Sequence, residues 1–272
     1  NSTQEISFAA FGIAGSNSAT IELSSLPPMN FESRLSYLIR YPHGCVEQTT
    51  SAAFPQLYLG EVFNLPSKKK QKIQKNIEAA IYKLKRFIQP TGGMSYWPGY
   101  SNPDDWGTSY AGHFLLEANK QGYVLPIGFK SSWITYQQQQ AKRWRSGNND
   151  LAQAYRLYTL ALAGSPDLSS MNRLRETSSI SNDAKLRLAA GYGLIGQANA
   201  ANQLLNSATI DFQTKRDKQY TYGSANRNRA MALETLVVLD QKAKAQKVAV
   251  ELAKELSSTD WMSTQTTSYA LL

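Results

Sequence analysis

Apolar side chains recur at three- and four-residue steps along most of this chain, most cleanly over 67–89. There Ile73, Ile77, Ala80, Ile81, Leu84 and Ile88 line one side of the turn, the spacing of an amphipathic helix. Ser67 is placed to cap its start and Pro90 to end it. Similar stripes run over 30–40, 46–63, 108–121, 130–145, 150–163, 183–193, 197–206, 227–239, 242–256 and 263–272, which predicts about a dozen helices. Short turns after Gly193 and Val238 make several of them antiparallel hairpins. Helical hairpins around a common core predict an all-α solenoid or a closed α/α toroid, and periodicity alone does not choose between them. Before about residue 25 the texture differs: Ile6, Phe8 and Ala10 alternate, then Ile21 and Leu23, and Pro27-Pro28 closes a short β-like segment. The chain therefore divides into a β-like stretch, 1–25, and a helical domain, 26–272.

With 272 residues, 42% of them hydrophobic and 18% charged, the chain can bury a full core. No window approaches the uninterrupted apolar run of a membrane span, and the opening NSTQEISF shows no targeting signal. Lysine and arginine total 29 against 20 acidic residues, a net charge of +9. The basic residues are scattered, with one cluster at Lys68, Lys69 and Lys70 that reads as a solvated helix face. No nucleic-acid-binding motif accompanies them, so neither nucleic acid nor membrane insertion is expected. One cysteine forbids an internal disulfide. With only two histidines, His43 and His113, no zinc set can be assembled. Neither metal nor cofactor is expected.

Two loops interrupt the helices, 91–100 (TGGMSYWPGY) and 220–226 (YTYGSAN). Each reads either as a turn whose aromatics cap the core or as a site loop. The stretch with most chemistry is YPHGCVEQTT, 41–50. Proline and glycine turn the chain just before Cys45, which puts the cysteine near a helix N-terminus and Gln48 on the same face, three residues on. A helix N-terminus lowers a thiol pKa and offers free N–H groups to developing negative charge. Three readings stay open on these residues: a buried free cysteine acting as a small hydrophobe, a Cys45–His43 nucleophile pair, or a thioester made by attack of the thiol on the Gln48 amide with loss of ammonia.

YPHGCVEQTTS resembles the thioester signature of the α2-macroglobulin and complement superfamily, a Gly-Cys-x-Glu-Gln core that a Tyr-Pro pair precedes in bacterial members. GGMSYWPG with WGTSYAGHFLLEA, YGSANRNRAMALETL and WMSTQTTSYALL resemble later segments of the same domain, in the same order. The resemblance implies an α/α toroid, normally one module of a larger protein, with residues 1–25 arriving from a neighbouring module. It implies a Cys45–Gln48 thioester, with Glu47 part of the motif and without an assigned role. It further implies Tyr41, Tyr96 and Trp97 as an aromatic shield, with Trp106 and Tyr110 as further candidates. The expected activity is that of a single-use covalent trap, not an enzyme: target proteases react through lysine amines after cleavage of a bait region. The expected location is the periplasm or cell envelope, and the expected partners are those proteases and the neighbouring domains. Complement proteins that favour hydroxyls carry a later histidine. None stands in RLYTLALAGSP, and His113 reads as a core residue, so amine selectivity is expected. Two other readings are a toroidal enzyme, for which Asp104-Asp105 is a poor acidic motif, and a toroidal scaffold without an active thioester.

Overall fold

The computed structural model describes residues 31–38, 44–62, 65–147, 149–210 and 221–272, with a few isolated positions before residue 16; the side chains of residues 31–33, 35 and 62 are excepted. Apart from those isolated positions the predicted β-like segment lies outside the described residues, as do Tyr41 and His43. The helices are α1 (Phe31–Leu38), α2 (Val46–Ala53), α3 (Leu59–Val62), α4 (Ser67–Leu84), α5 (Asp105–Lys120), α6 (Phe129–Arg143) and α7 (Asp150–Leu162). They continue as α8 (Leu168–Glu176), α9 (Asn182–Leu194), α10 (Ala198–Ser207), α11 (Ala225–Val238), α12 (Lys242–Ser257) and α13 (Thr264–Leu271). No strand is present among the described residues, only two isolated antiparallel bridges, Ile88 with Met94 and Ser95 with Pro103.

Contacts between helices close a ring. In order around it α2 packs on α5, α5 on α7, α7 on α9, α9 on α11, α11 on α13, and α13 back on α2. Outside this inner circle α4 covers α2, α6 covers α7, α10 covers α9, α12 covers α11, and α1 lies on α13. This is the α/α toroid that the resemblance implied.

Inner and outer helices differ in sequence for a plain reason. Outer α4 buries only Ile73, Ile77, Ala80, Ile81 and Leu84, one stripe facing inward; Lys68, Lys70, Lys72 and Lys75 face water, while Lys69 and Lys83 are half-buried. Inner α5 buries every residue from Trp106 to Leu116, because neighbours surround it. Small residues let those neighbours approach. A Cβ at Gly112 would stand 2.4 Å from the Trp133 ring, and one at Gly107 would stand 2.5 Å from Val46 Cγ1. The second contact sets the start of α5 against the first turn of α2.

Three local expectations are corrected. Pro66, not Ser67, occupies the N-cap of α4, and it offers no side-chain bond. The stripe at 46–63 is broken by Pro55 into α2, a 3-10 turn at Phe54–Leu57, and α3. Helix α8 was absent from the predicted stripes, because only Ser170, Met171 and Leu174 of its nine residues are buried.

The ring interior is polar as well as aromatic. Arg187 on α9 donates to Glu234 on α11 at 2.8 Å and lies 4.5 Å above the Tyr158 ring. The Tyr158 hydroxyl donates to the same carboxylate at 2.7 Å. His113 Nδ1 is 3.0 Å from the Tyr155 hydroxyl, to which Tyr269 donates at 2.5 Å. Each of these side chains has a partner, as burial requires, although the Nε of Arg187 makes no hydrogen bond.

Candidate functional site

Cys45 is itself the N-cap of α2 (φ −70°, ψ 177°), and Gln48 is the third residue of the helix. Their side chains form a reciprocal capping box. The Gln48 N–H donates to Cys45 Sγ at 3.5 Å, and the Cys45 N–H donates to Gln48 Oε1 at 3.3 Å. The box brings the thiol and the primary amide together and points the amide carbonyl at a backbone donor.

Gly44 makes this packing possible. Its φ is +114°, where L side chains are strained, and a Cβ there would sit 1.8 Å from Gln48 Oε1 and 2.9 Å from its Cδ. The glutamine head folds over the bare backbone just before the cysteine.

Loop 88–103 covers the cysteine, while the Gln48 side chain stays exposed. Ser95 N–H donates to the Phe87 carbonyl at 3.0 Å, Asp104 N–H to that of Met94 at 2.7 Å, and Met94 N–H to Thr108 Oγ1 at 2.9 Å. Thus pinned, the loop offers its Tyr96 carbonyl to the Val46 N–H at 3.1 Å, satisfying a helix-start donor that would otherwise lack a partner. Tyr222, from the second loop, stacks on the Tyr96 ring with centroids 5.5 Å apart, and Trp97 meets it edge-on at 5.6 Å. Cys45 is 1% exposed, while Trp97 and Tyr222 are 41% and 42% exposed and form the outer rim.

Burial pushes the Cys45 thiol up from its ordinary value, although bonds from Tyr96 and the Gln48 backbone pull it down. The expected lowering by the helix start is therefore overcome by desolvation. Glu47 points the other way from Cys45, into the ring. It is 7% exposed and accepts from Ser51 Oγ at 2.7 Å and from Thr264 on α13. Burial raises its carboxyl pKa, and these two bonds oppose the rise.

The remaining candidates fall elsewhere. Trp106 packs on Tyr155 and under Arg227, 4.5 Å from its guanidinium. Tyr110 bonds Ser51 and Ser268. Both stand inside the ring. His113 is buried at 3% exposure among Tyr155, Tyr158 and Phe54. Asp104 caps α5 by accepting from Gly107 N–H at 2.6 Å, and Asp105 pairs with Arg156 at 2.6 Å. Neither aspartate faces a cavity with the other, and among the described residues no group of three or more His, Cys, Asp or Glu could hold a metal. Sequence reasoning singled out the loop of Tyr222 without its partner; it missed Thr264, whose pairing with Glu47 spans 217 residues and leaves no local signal, and Ser51, which stands at the readable i, i+4 spacing from Glu47.

Residues 19–155, half of the chain, match the family described as the A-macroglobulin TED domain. Alpha-2-macroglobulin of Escherichia coli K12 is 30% identical over 125 residues, which is 43% of this chain and 8% of that protein. That of Pasteurella multocida is 27% identical over 215 residues, 69% of this chain and 11% of that protein. Among solved structures, Salmonella alpha-2-macroglobulin reacted with methylamine superposes with a TM-score of 0.77 at 24% identity, covering 90% of this chain and 17% of that one. Native Escherichia coli alpha-2-macroglobulin, spanning domain MG7 to the C-terminus, gives 0.78 at 22% identity, covering 91% and 42%. These likenesses show the shared fold. The chain spans about a tenth of the curated relatives it matches.

Proposed function

The chain belongs to the A-macroglobulin TED domain family, and on that premise we propose that Cys45 and Gln48 join as an internal thioester that the domain uses once, as a covalent trap. The observation that carries this reading is the capping box folded over Gly44, in which the Gln48 backbone N–H reaches Cys45 Sγ and the Cys45 N–H reaches Gln48 Oε1. In closure the Cys45 sulfur bonds to Gln48 Cδ, the Cδ–Nε2 bond breaks, and ammonia leaves with the thiol proton. The Cys45 N–H that bonds Oε1 stabilises the oxyanion formed on the way. In opening, an amine bonds to Cδ, the Cδ–Sγ bond breaks, and the thiol returns. Water at the same carbon wastes the bond, so the buried sulfur and its rim of Tyr96, Trp97 and Tyr222 support a protective role for these rings; Tyr41 is the further member proposed from the motif.

In a longer protein of the kind this chain resembles, the target is an attacking protease, reached through its lysine amines after bait cleavage. The setting is the periplasm or cell envelope, with neighbouring domains as the other partners. Structures of Escherichia coli alpha-2-macroglobulin activated by trypsin and by elastase support proteases as the partner class. Amine over hydroxyl selectivity is favoured because His113 is buried and bonded to Tyr155, away from the pair. The deciding experiment is intact mass before and after methylamine. A protein lighter than its sequence by one ammonia, converted to a methylamine adduct with one new thiol, and a Cys45→Ala variant inert to the reagent, are the expected results. Full sequence mass with a thiol free from the outset, in both this domain and its full-length parent, would overturn the reading.

A further inference from the structure

The turn between α5 and α6 holds two large apolar side chains out in water. Gly122, at φ +92°, ends α5: its N–H donates to the Asn119 carbonyl and the Tyr123 N–H to that of Ala118, both at 3.0 Å, a closing pattern that fixes the direction of the exiting chain. Phe129, buried beside Trp133, fixes the other end, its N–H donating to the Pro126 carbonyl at 3.0 Å. Between these anchors Tyr123 and Leu125 pack against the core, while Val124 and Ile127 point outward, 86% and 106% exposed. Exposed Tyr82 of α4 shares with Val124 a groove of about 650 Å³, and a second groove opens on the side of the loop toward α6. Single apolar residues at a surface are ordinary, but a firmly presented cluster with grooves around it marks an interaction face.

The charge around this cluster is one-sided. Lys85 lines the first groove and Lys130 the second, and Lys68, Lys72 and Lys75 form an exposed stripe of α4 that reaches Tyr82 one heptad on. Among the described residues Glu78 is the only acidic side chain lining either groove, and it accepts from Gln74 at 2.9 Å. We infer that this face docks on an anionic lipid bilayer, with Val124 and Ile127 entering the headgroup layer and the lysines around them meeting lipid phosphates. Charge complementarity selects that partner, and so does shape: a projecting tip needs no matched cavity in a fluid layer, whereas a rigid protein would have to offer a pocket for each side chain. Lysine suits the border, its stem lying along apolar surface and its ammonium in the polar layer, and tyrosine favours the same depth. Two apolar side chains bind weakly, and a basic stripe is screened by salt; together they supply the pair of signals that a reversible surface attachment requires. The sequence pointed away from membrane insertion for want of a long apolar run, and among the described residues no helix is long and apolar enough to cross a membrane. A surface contact asks for neither.

Co-sedimentation with vesicles tests the inference, run on this chain and on its full-length parent. One set of vesicles is phosphatidylcholine alone, the other phosphatidylcholine mixed with phosphatidylglycerol. Retention on the anionic set, little on the neutral one, and loss of binding as salt rises from about 0.05 M to about 0.5 M are expected. Val124→Ser with Ile127→Ser should weaken binding about tenfold, the scale of two aliphatic side chains that lose a partly apolar environment. Both side chains are exposed, so this variant keeps the fold, which its circular dichroism spectrum checks. Lys85→Gln with Lys130→Gln should weaken binding and flatten its salt dependence. Retention on neither set, equal retention on both, or retention that the Val124 and Ile127 variant keeps in full would overturn the inference and leave the face to a protein partner. A parent that stays in solution while this chain binds would show that a neighbouring module covers the face, and would overturn it equally.

Discussion

The hydroxyl of Thr264 donates to both oxygens of Glu47, at 3.1 Å and 3.3 Å, and so joins α13 to α2 across the seam where the ring closes. Glu47 lies between Cys45 and Gln48 in sequence, yet it accepts hydrogen bonds from Ser51 and Thr264 on the side of the ring. Its place in the motif is thereby explained as an anchor for the first turn of α2. The double-mutant cycle of Glu47→Gln with Thr264→Val should show a coupling of about 1 kcal/mol in urea unfolding, and additivity would discard the anchor. Because burial raises the folded carboxyl pKa, the folded state binds the proton more tightly than the unfolded chain does. The contribution of Glu47 to stability is fully present below its ordinary value of 4.5 and is lost as pH rises through the folded value. That loss should be missing in Glu47→Gln.

Gly44→Ala should leave the ring folded and prevent the bond. The added methyl would stand 1.8 Å from Gln48 Oε1 on a backbone at φ +114°, so the glutamine head must leave Cys45. An unchanged circular dichroism spectrum with full sequence mass and a free thiol is the expected pair of results. A variant still lighter by one ammonia would show that the close approach is dispensable.

His113 should make the fold acid-sensitive. Burial first, aided by Arg187, lowers its pKa, against the opposing pull of Glu234 and Glu117; Tyr155 and Tyr158 complete its surroundings. The unfolded chain takes up a proton near 6.5 and the folded protein resists it, so stability is full above that value and falls as pH drops below it. Urea midpoints measured from about pH 8 to about pH 5 should decline less steeply in His113→Gln than in the parent. Parallel declines would remove His113 from the account.

Arg187→Met should destabilise the domain by about 2 to 3 kcal/mol, less than for a fully buried ion pair because the Glu234 side chain is 29% exposed. The variant strands Glu234, which now receives bonds from Arg187 and Tyr158. Chemical denaturation measures the loss, and a change under about 1 kcal/mol would mean that water already solvates the carboxylate.

Legibility in the sequence followed exposure. Outer helices such as α4 alternate between core and water and could be drawn within a few residues, whereas inner helices such as α5 are apolar or small all round and show a run but not a facing direction. Ring closure depends on α13 meeting α2, a pairing with no periodic trace, and only resemblance anticipated it. At the site, the i, i+3 relation of Cys45 and Gln48 could be read directly from a helix start. The sign of the thiol shift could not, because it turns on how deeply loop 88–103 covers the sulfur. Tyr222 reaches Tyr96 from a loop more than a hundred residues away, and helix periodicity carries no information about such a meeting.

The seam has a consequence for biosynthesis. Glu47 and Thr264 are 217 residues apart in the chain, a distance that ribosomes cover in roughly 10 to 40 s. Through that interval the nascent first turn of α2 has its own capping box but no α13 to lean on. The proposed thioester, if closed then, would sit on an unfinished ring, because the Glu47 anchor is complete only once α13 has been made.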